Sequence, residues 1–227
     1  MRKIVIAIDG FSGCGKSSTA KQVAKKLGYT YIDSGAMYRA TTLHFLNRFT
    51  VLTNPKDVDR ALKSLEISFH KNEETGLQET YLNGLNVERK IRTMQVSEKV
   101  SEVSKIKEVR RELVSQQQRL GKHKGVVMDG RDIGTVVFPS AELKVFMTAD
   151  LKIRAERRQQ ELLEKGEMVE LEKIIHNLSE RDRIDSSRAE SPLKKAEDAV
   201  EIDTSLLDFE DQVCEITHLA QQKIAAN

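Results

Sequence analysis

Residues 4–18 read Ile-Val-Ile-Ala-Ile-Asp-Gly-Phe-Ser-Gly-Cys-Gly-Lys-Ser-Ser. A short apolar strand runs into Gly-x-x-x-x-Gly-Lys-Ser, the phosphate-loop pattern. Each residue type there answers to phosphate chemistry. Gly10, Gly13 and Gly15 let the backbone turn with positive φ and place no Cβ between the amides and an anion. Lys16 has the reach for β- and γ-phosphates, and the Ser17 hydroxyl can ligate Mg²⁺. From Ser18 onward, Ala20, Val23, Ala24 and Leu27 fall at helical spacing, and Gly28 supplies a stop. Phosphates held here would sit at a helix N-terminus, where the dipole favours negative charge. Strand, loop and helix come in the order the motif requires. The bland alternative, a glycine-rich turn between a strand and a helix, does not ask for Lys16 and Ser17.

A chain of 227 residues suits one domain with insertions. Charged residues make up 32% and aromatics 5%, which favours helices with charged outer faces. The net charge of +2 is too small to argue for a nucleic-acid polymer. Cys14 and Cys214 make neither a disulfide framework nor a metal set, and they fit a reducing cytoplasm. The five histidines, His44, His70, His123, His176 and His218, show no ligand spacing. The opening Met1–Ile8 has too short an apolar run for a signal peptide and leads straight into the loop, so it reads as a first strand. No run is long enough to span a membrane.

Further strands are predicted at 29–33, 125–129, 143–147 and 199–203, and helices at 34–45, 97–119, 151–165 and 170–184, with a last helix after Asp208. Strands alternating with helices imply a parallel sheet of about five strands covered on both faces. The segment 34–96 reads as an insertion. It has a helix at 56–65 and a small antiparallel unit from strands 66–71 and 79–83, with a turn at 72–76 in which Gly76 permits φ > 0.

Three clusters carry chemistry beyond the loop. Asp33-Ser-Gly-Ala-Met-Tyr-Arg39 ends the second strand, at an edge that faces the ligand crevice in open α/β sheets. Ser34 as a cap and Arg39 a turn later suit a second phosphate; an ordinary helix cap with a surface arginine accounts for the spacing equally well. Asp129-Gly-Arg-Asp-Ile-Gly-Thr-Val-Val-Phe-Pro139 follows the third strand, and Gly130 and Gly134 suggest close approach of a ligand to the backbone. The third cluster is basic. Arg154, Arg157 and Arg158 share one helix. Arg181, Asp185 and Arg188 stand at i, i+4 and i+7, one face of another. Arginine forks match phosphate oxygens, although a solvated helix with internal ion pairs has the same spacing.

Taken with Ile91-Arg-Thr93, these stretches resemble the bacterial cytidylate (CMP/dCMP) kinases, nucleoside monophosphate kinases of the P-loop class. The resemblance spans nearly the whole chain, and the Asp33 and Asp129 motifs are the parts specific to this branch. It implies a core at 1–33, 97–149 and 167–227, a monophosphate-binding insert at 34–96 and an arginine-rich lid at 150–166. It implies that Gly10, Phe11, Ser12, Gly13, Cys14, Gly15, Lys16, Ser17 and Ser18 bind ATP, with Mg²⁺ at Ser17. Ser34, Arg39, Arg131 and Arg188 would contact the acceptor phosphate, Ser101, Arg110 and Asp132 the cytosine, and Arg181 and Asp185 the sugar. Phe11 stands where the family commonly has Pro, and Cys14 where Ala or Ser is usual. A monomer acting on small nucleotides is the family expectation.

The implied reaction moves the γ-phosphoryl of ATP to CMP or dCMP. The nucleophile is already an anionic phosphate oxygen, so positioning and charge neutralisation suffice. Lys16, Arg131, Arg188 and a lid arginine, with Arg157 as the candidate, would stabilise the transferring group. Asp129 would act as a water-mediated Mg²⁺ partner. A GTPase-type switch is disfavoured because neither Asn-Lys-x-Asp nor Asp-x-x-Gly occurs. A non-catalytic nucleotide sensor would not need the full arginine set. Cys14, among anion-favouring amides and beside Lys16, reads as a reactive thiol that ATP would shield, with an inert small filler as the alternative.

Overall fold

The structure is a computed structural model, and it describes residues 2–74, 78–164 and 166–226. It divides into two compact units, residues 1–32 with 120–227, and residues 33–119. Helices between 94 and 119 therefore group with the second unit, whereas the sequence reading set 97–119 with the core.

The first unit is built on a five-stranded sheet with strand order β2-β6-β1-β7-β8: β1 Val5–Gly10, β2 Thr30–Asp33, β6 Val126–Gly130, β7 Leu143–Thr148 and β8 Val200–Asp203. β1 is central and runs parallel to both β6 and β7, and β7 runs parallel to β8. Ile4, Ile6 and Ile8 are fully buried, together with Val127, Leu143, Val145 and Met147. Such unbroken apolar strands are what a sheet covered on both faces demands. Helix α1 (Lys16–Leu27) brings Ala20, Val23 and Ala24 to this core, and α8 (Phe209–Ala225) brings Val213, Ile216 and Ala220. Gly28 ends α1 at φ 66°, its amide returning to the carbonyls of Ala24 and Lys25. Helices α6 (Leu151–Leu163) and α7 (Leu171–Ser187) pair through Ala155, Leu162, Ile174 and Leu178.

The second unit turns on α2 (Ser34–Asn47), which is buried on two sides. Met37, Tyr38 and Phe45 pack with Val58 and Ala61 of α3 (Pro55–Leu62) and with Val100, Val103, Val109 and Leu113. Ala36, Ala40 and Leu43 pack with Leu82, Val87, Ile91 and Val96. The antiparallel sheet is β3 (Ile67–Lys71), β4 (Gln78–Leu82) and a short β5 (Leu85–Asn86). The turn expected at 72–76 extends into residues 75–77, which lie outside the described residues, as does Lys165 at the end of the expected helix 151–165.

Three expectations need correction. The cap of α2 is Asp33, whose carboxylate accepts from the Ala36 amide at 2.7 Å, and Ser34 is the first helical residue. The helix expected over 97–119 is two helices, α4 (Met94–Val103) and α5 (Lys107–Gly121). Ser104 breaks it: its hydroxyl donates to the Ser101 carbonyl at 3.0 Å, and its own carbonyl accepts from the Arg110 guanidinium at 3.1 Å. Arg188 lies just past α7 in an extended conformation (φ −65°, ψ 144°), so it is not on one helical face with Arg181 and Asp185.

Candidate active site

In the first unit the loops after β1, β6, β7 and β8 all leave the carboxyl ends of parallel strands, where open α/β sheets bind ligands. The phosphate loop follows β1. Gly10, Gly13 and Gly15 have φ of 145°, 80° and 88°. A Cβ on Gly10 would stand 1.9 Å from the Met147 carbonyl oxygen of β7, so no other residue fits. Lys16 is buried, and its ammonium donates to the Phe11 carbonyl at 2.5 Å, inside the loop it springs from. Burial, and next the Arg131 charge, lower its pKa from the ordinary lysine value. Phe11 meets Phe146 edge-on with centroids 5.8 Å apart, and the Arg154 guanidinium lies 5.3 Å above its ring.

Cys14 has its side chain in the core, with Sγ 3.6 Å from the Lys16 ammonium. Its side chain is fully buried in the sheet core, and Sγ lies 3.0 Å from the Phe11 carbonyl and 3.4 Å from that of Met147. Burial in the core is what the small-filler alternative expects, and the neighbouring ammonium is what the reactive-thiol reading expects.

Ser17 meets an acid at the end of β6. Its hydroxyl donates to Asp129 at 2.7 Å, and Tyr31 donates to the other Asp129 oxygen at 2.8 Å. Hydroxyl and carboxylate oxygens are hard ligands of the kind Mg²⁺ takes, one or two from protein and the rest from phosphate and water. Among the described residues no trio of His, Cys, Asp and Glu gathers to hold a metal by itself.

Beside the loop stands a cage of charge. Asp185 accepts from Arg131 Nε at 2.9 Å on one oxygen, and its other oxygen lies 3.3 Å from Arg188. Arg188 also donates to the Ser191 carbonyl at 2.7 Å and lies 3.9 Å from Asp132. Burial works against the Asp185 charge, but Arg131, Arg181 and Arg188 together hold its carboxyl below the usual carboxylate range. Two guanidiniums are thus held on one carboxylate.

The helical arginines are each engaged. Arg154 is buried and donates to the carbonyls of Ala149 and Ser12 and to Asp182, at 2.9, 3.0 and 2.7 Å. It braces the phosphate loop. Arg157 donates to the hydroxyl and carbonyl of Thr204, and that hydroxyl bonds the Cys14 carbonyl. Arg158 pairs with Glu161 near solvent.

The second unit holds a parallel device. Asp33 pairs with Arg39 at 2.9 Å and lies 3.6 Å from Arg92, and those two charges, against the opposing effect of burial, lower its pKa. Ser34 is buried beside it. Arg110 is buried under Tyr38, 5.2 Å from the ring centroid, and Ser101 is on the last turn of α4.

Sequence reasoning missed Asp9. It is buried, and its two oxygens accept from the amides of Ile133 and Gly134 at 2.8 and 2.7 Å. The signal available was an acid ending an apolar strand. Those amides open a wide turn of i→i+5 hydrogen bonds over Ile133–Val137. Gly134 answers to this packing, since a Cβ there would meet Lys144 at 3.2 Å and Asp9 at 3.4 Å, so close approach of a ligand is not what requires it.

The fold alone compares with a solved, uncharacterised protein from Eubacterium ventriosum, at TM-score 0.52 and 12% identity, covering 97% of this chain and 99% of that one. Loop, sheet and cage define a P-loop kinase. The family model described as cytidylate kinase matches residues 6–222. A protein named cytidylate kinase in Cytophaga hutchinsonii is 57% identical over 224 residues, 99% of this chain and 96% of that one. One of the same name in Bacteroides fragilis is 55% identical over 215 residues, 93% and 94% of the two chains. The chain belongs to the cytidylate kinase family.

Proposed function

We propose that the protein transfers the γ-phosphoryl group of ATP to CMP or dCMP, giving ADP and CDP or dCDP. The observation that carries this reading is the Asp185 cage, a buried Arg188 and a partly buried Arg131 held within 3.3 and 2.9 Å of one carboxylate in the same unit as the phosphate loop. An acceptor phosphate is an anion in need of such forks and needs no general base.

The donor lies along the amides of Gly10 to Ser18, with Lys16 at its β- and γ-phosphates. Ser17 would hold Mg²⁺, with Asp129 as its water-mediated partner, and the ion would supply charge neutralisation and orientation of the phosphates. Arg131, Arg188, Ser34 and Arg39 are the residues proposed for the acceptor phosphate. Asp132, Ser101 and Arg110 recognise the base, and Arg181 and Asp185 the sugar. Arg157 is the lid arginine offered to the transferring group, and its bonds to Thr204 are those it gives up. The segment 150–166 closes over the phosphates, because water admitted there would hydrolyse ATP. The protein acts as a monomer, on free nucleotides, in the cytoplasm, where Cys14 and Cys214 stay reduced. No helix of the described residues is long and apolar enough to cross a membrane.

A coupled assay of ADP release tests this, with ATP and, separately, CMP, dCMP, UMP, AMP and shikimate. Release that requires CMP or dCMP is the expected result. Release at the same rate with no acceptor, or with shikimate alone, overturns the reading.

A further inference from the structure

Asp9 is the sole acid of β1, placed one residue before the phosphate loop and buried at its strand end. Its carboxylate is shared evenly, Oδ1 taking the Ile133 amide at 2.8 Å and Oδ2 the Gly134 amide at 2.7 Å. The residue directly before those amides is Asp132, which stands outside the turn at φ −144°, ψ 25° while its carbonyl accepts from Val136 and Val137. The backbone of Asp132 is therefore pinned on one side by the turn it starts and on the other by a carboxylate from the strand that feeds the donor loop. Only an acceptor on both atoms satisfies two amides at once. An amide side chain would turn one of its two ends, a donor, onto an N–H.

We infer that Asp9 is a positioning residue for base selection: by holding the amides of Ile133 and Gly134 it fixes Asp132, and through it the preference for cytosine over uracil. The inference rests on the reading that Asp132 recognises the base. A carboxylate there accepts from the cytosine amine and opposes the O4 of uracil, and its discrimination depends on where its Cα is held.

The charged groups near Asp9 are Asp132, which is of like sign, and Lys16, which is opposite, with the Lys144 stem packed along Gly134. Burial pushes the Asp9 carboxyl up to about 7, against the pull of the two amides. Protonation places a donor on one oxygen, facing an amide N–H. The grip on Asp132 is then full above that value and is loosened as pH falls through it. The acceptor phosphate titrates alike in CMP and UMP, so its effect cancels in their ratio.

The test measures kcat/KM for CMP and for UMP in wild type, Asp9→Asn, Asp132→Asn and the double variant, with Tm beside each. The expected result for Asp9→Asn is a fall of about tenfold in the CMP/UMP ratio, the loss of roughly one buried hydrogen bond, with KM for ATP little changed. The double variant should match Asp132→Asn alone, because the two act through one contact. A purely structural role would lower activity on both nucleotides together and leave the ratio where it was. An unchanged ratio in Asp9→Asn, with a lowered one in Asp132→Asn, overturns the inference and spares the base reading. An unchanged ratio in both overturns the base reading itself. If Asp9→Asn fails to fold, wild type decides: its CMP/UMP ratio should rise between about pH 6 and about pH 8, and a flat ratio overturns the inference.

Discussion

The phosphate loop and the Asp185 cage both serve phosphate, and they are built in opposite ways. The loop is made of backbone. Its shape is held by three glycines at positive φ and by the approach of Gly10 to the Met147 carbonyl, and its donors are amides that every residue carries. The cage is made of side chains from distant elements, Arg131 from the strand end of β6 and Asp185 and Arg188 from the end of α7. A backbone site keeps its form when a side chain is removed. A charge-built site keeps its form only while the charges balance, because each guanidinium depends on the carboxylate between them. Function and stability should therefore separate at the loop and stay tied together at the cage.

Lys16→Ala gives the largest effect and tests the first half of that statement. Turnover should fall on the order of 10³-fold or more, as when other charges that meet the transition state are removed. Tm should stay near wild type, since the glycines and not the lysine shape the loop. A variant that unfolds early would place Lys16 among the structural residues and break the contrast.

Asp185→Asn tests the second half. Here kcat/KM for CMP and Tm should fall together, the first by about 10²-fold and the second in line with the roughly 3–5 kcal/mol lost when one partner of a buried pair is removed. The sign with pH follows from the depressed carboxyl. Its contribution is complete above the unfolded value of about 4 and is lost as pH falls through the lower folded value. The Tm deficit of the variant should accordingly be full at about pH 7 and shrink toward about pH 2. A deficit that stays constant across that range would mean the carboxylate's charge is not what holds the cage.

Arg157→Ala falls between the two designs. Its guanidinium ties α6 to Thr204, which in turn bonds the Cys14 carbonyl of the loop. On its proposed role as the lid arginine, its loss should cost on the order of 10²-fold in kcat, with a small change in KM for CMP. A rise in KM for ATP at unchanged kcat would assign it to holding the strand end at Thr204 instead.

The same difference explains what could be read from the chain. The strand, loop and helix of residues 4–28 are specified by neighbours in sequence, and Gly28 closes the helix where its position implies. The parallel sheet follows from unbroken apolar runs. The break at Ser104 was hidden because Val100, Val103, Ile106 and Val109 keep their threefold step across it, while the interruption comes from side chains bonding to carbonyls. Asp33 and Ser34 are both good caps, and adjacency left the choice to geometry. The turn at Ile133–Val137 and the role of Asp9 depend on a carboxylate 124 residues from its amide, which no local pattern records. Arg188 looked helical by spacing, and the chain leaves the helix one residue too soon. The composition of the cage was legible, but its centre on Asp185 was not, since Arg131 is 54 residues away.

The smallest effect is expected at Cys14, and it marks where the loop's backbone design protects it. Sequence position argued for a thiolate, because amides at a helix N-terminus and a neighbouring lysine favour an anion. The fold buries the side chain, with Sγ still 3.6 Å from the Lys16 ammonium. Sγ is fully buried, faces the Phe11 and Met147 carbonyls, and packs with the sheet core, while the residue's carbonyl accepts from Thr204. Burial denies a reagent access and so opposes alkylation. Cys214 is exposed and should react first. Treatment with iodoacetamide under native conditions should modify Cys214 alone, leave turnover within about twofold of the untreated enzyme, and proceed at the same rate with and without ATP. Peptide mapping by mass spectrometry locates the adduct. Rapid modification at Cys14 that ATP slows would mean the loop opens enough to turn its fifth residue outward, and would return the loop to the class of sites that a single side chain can disturb.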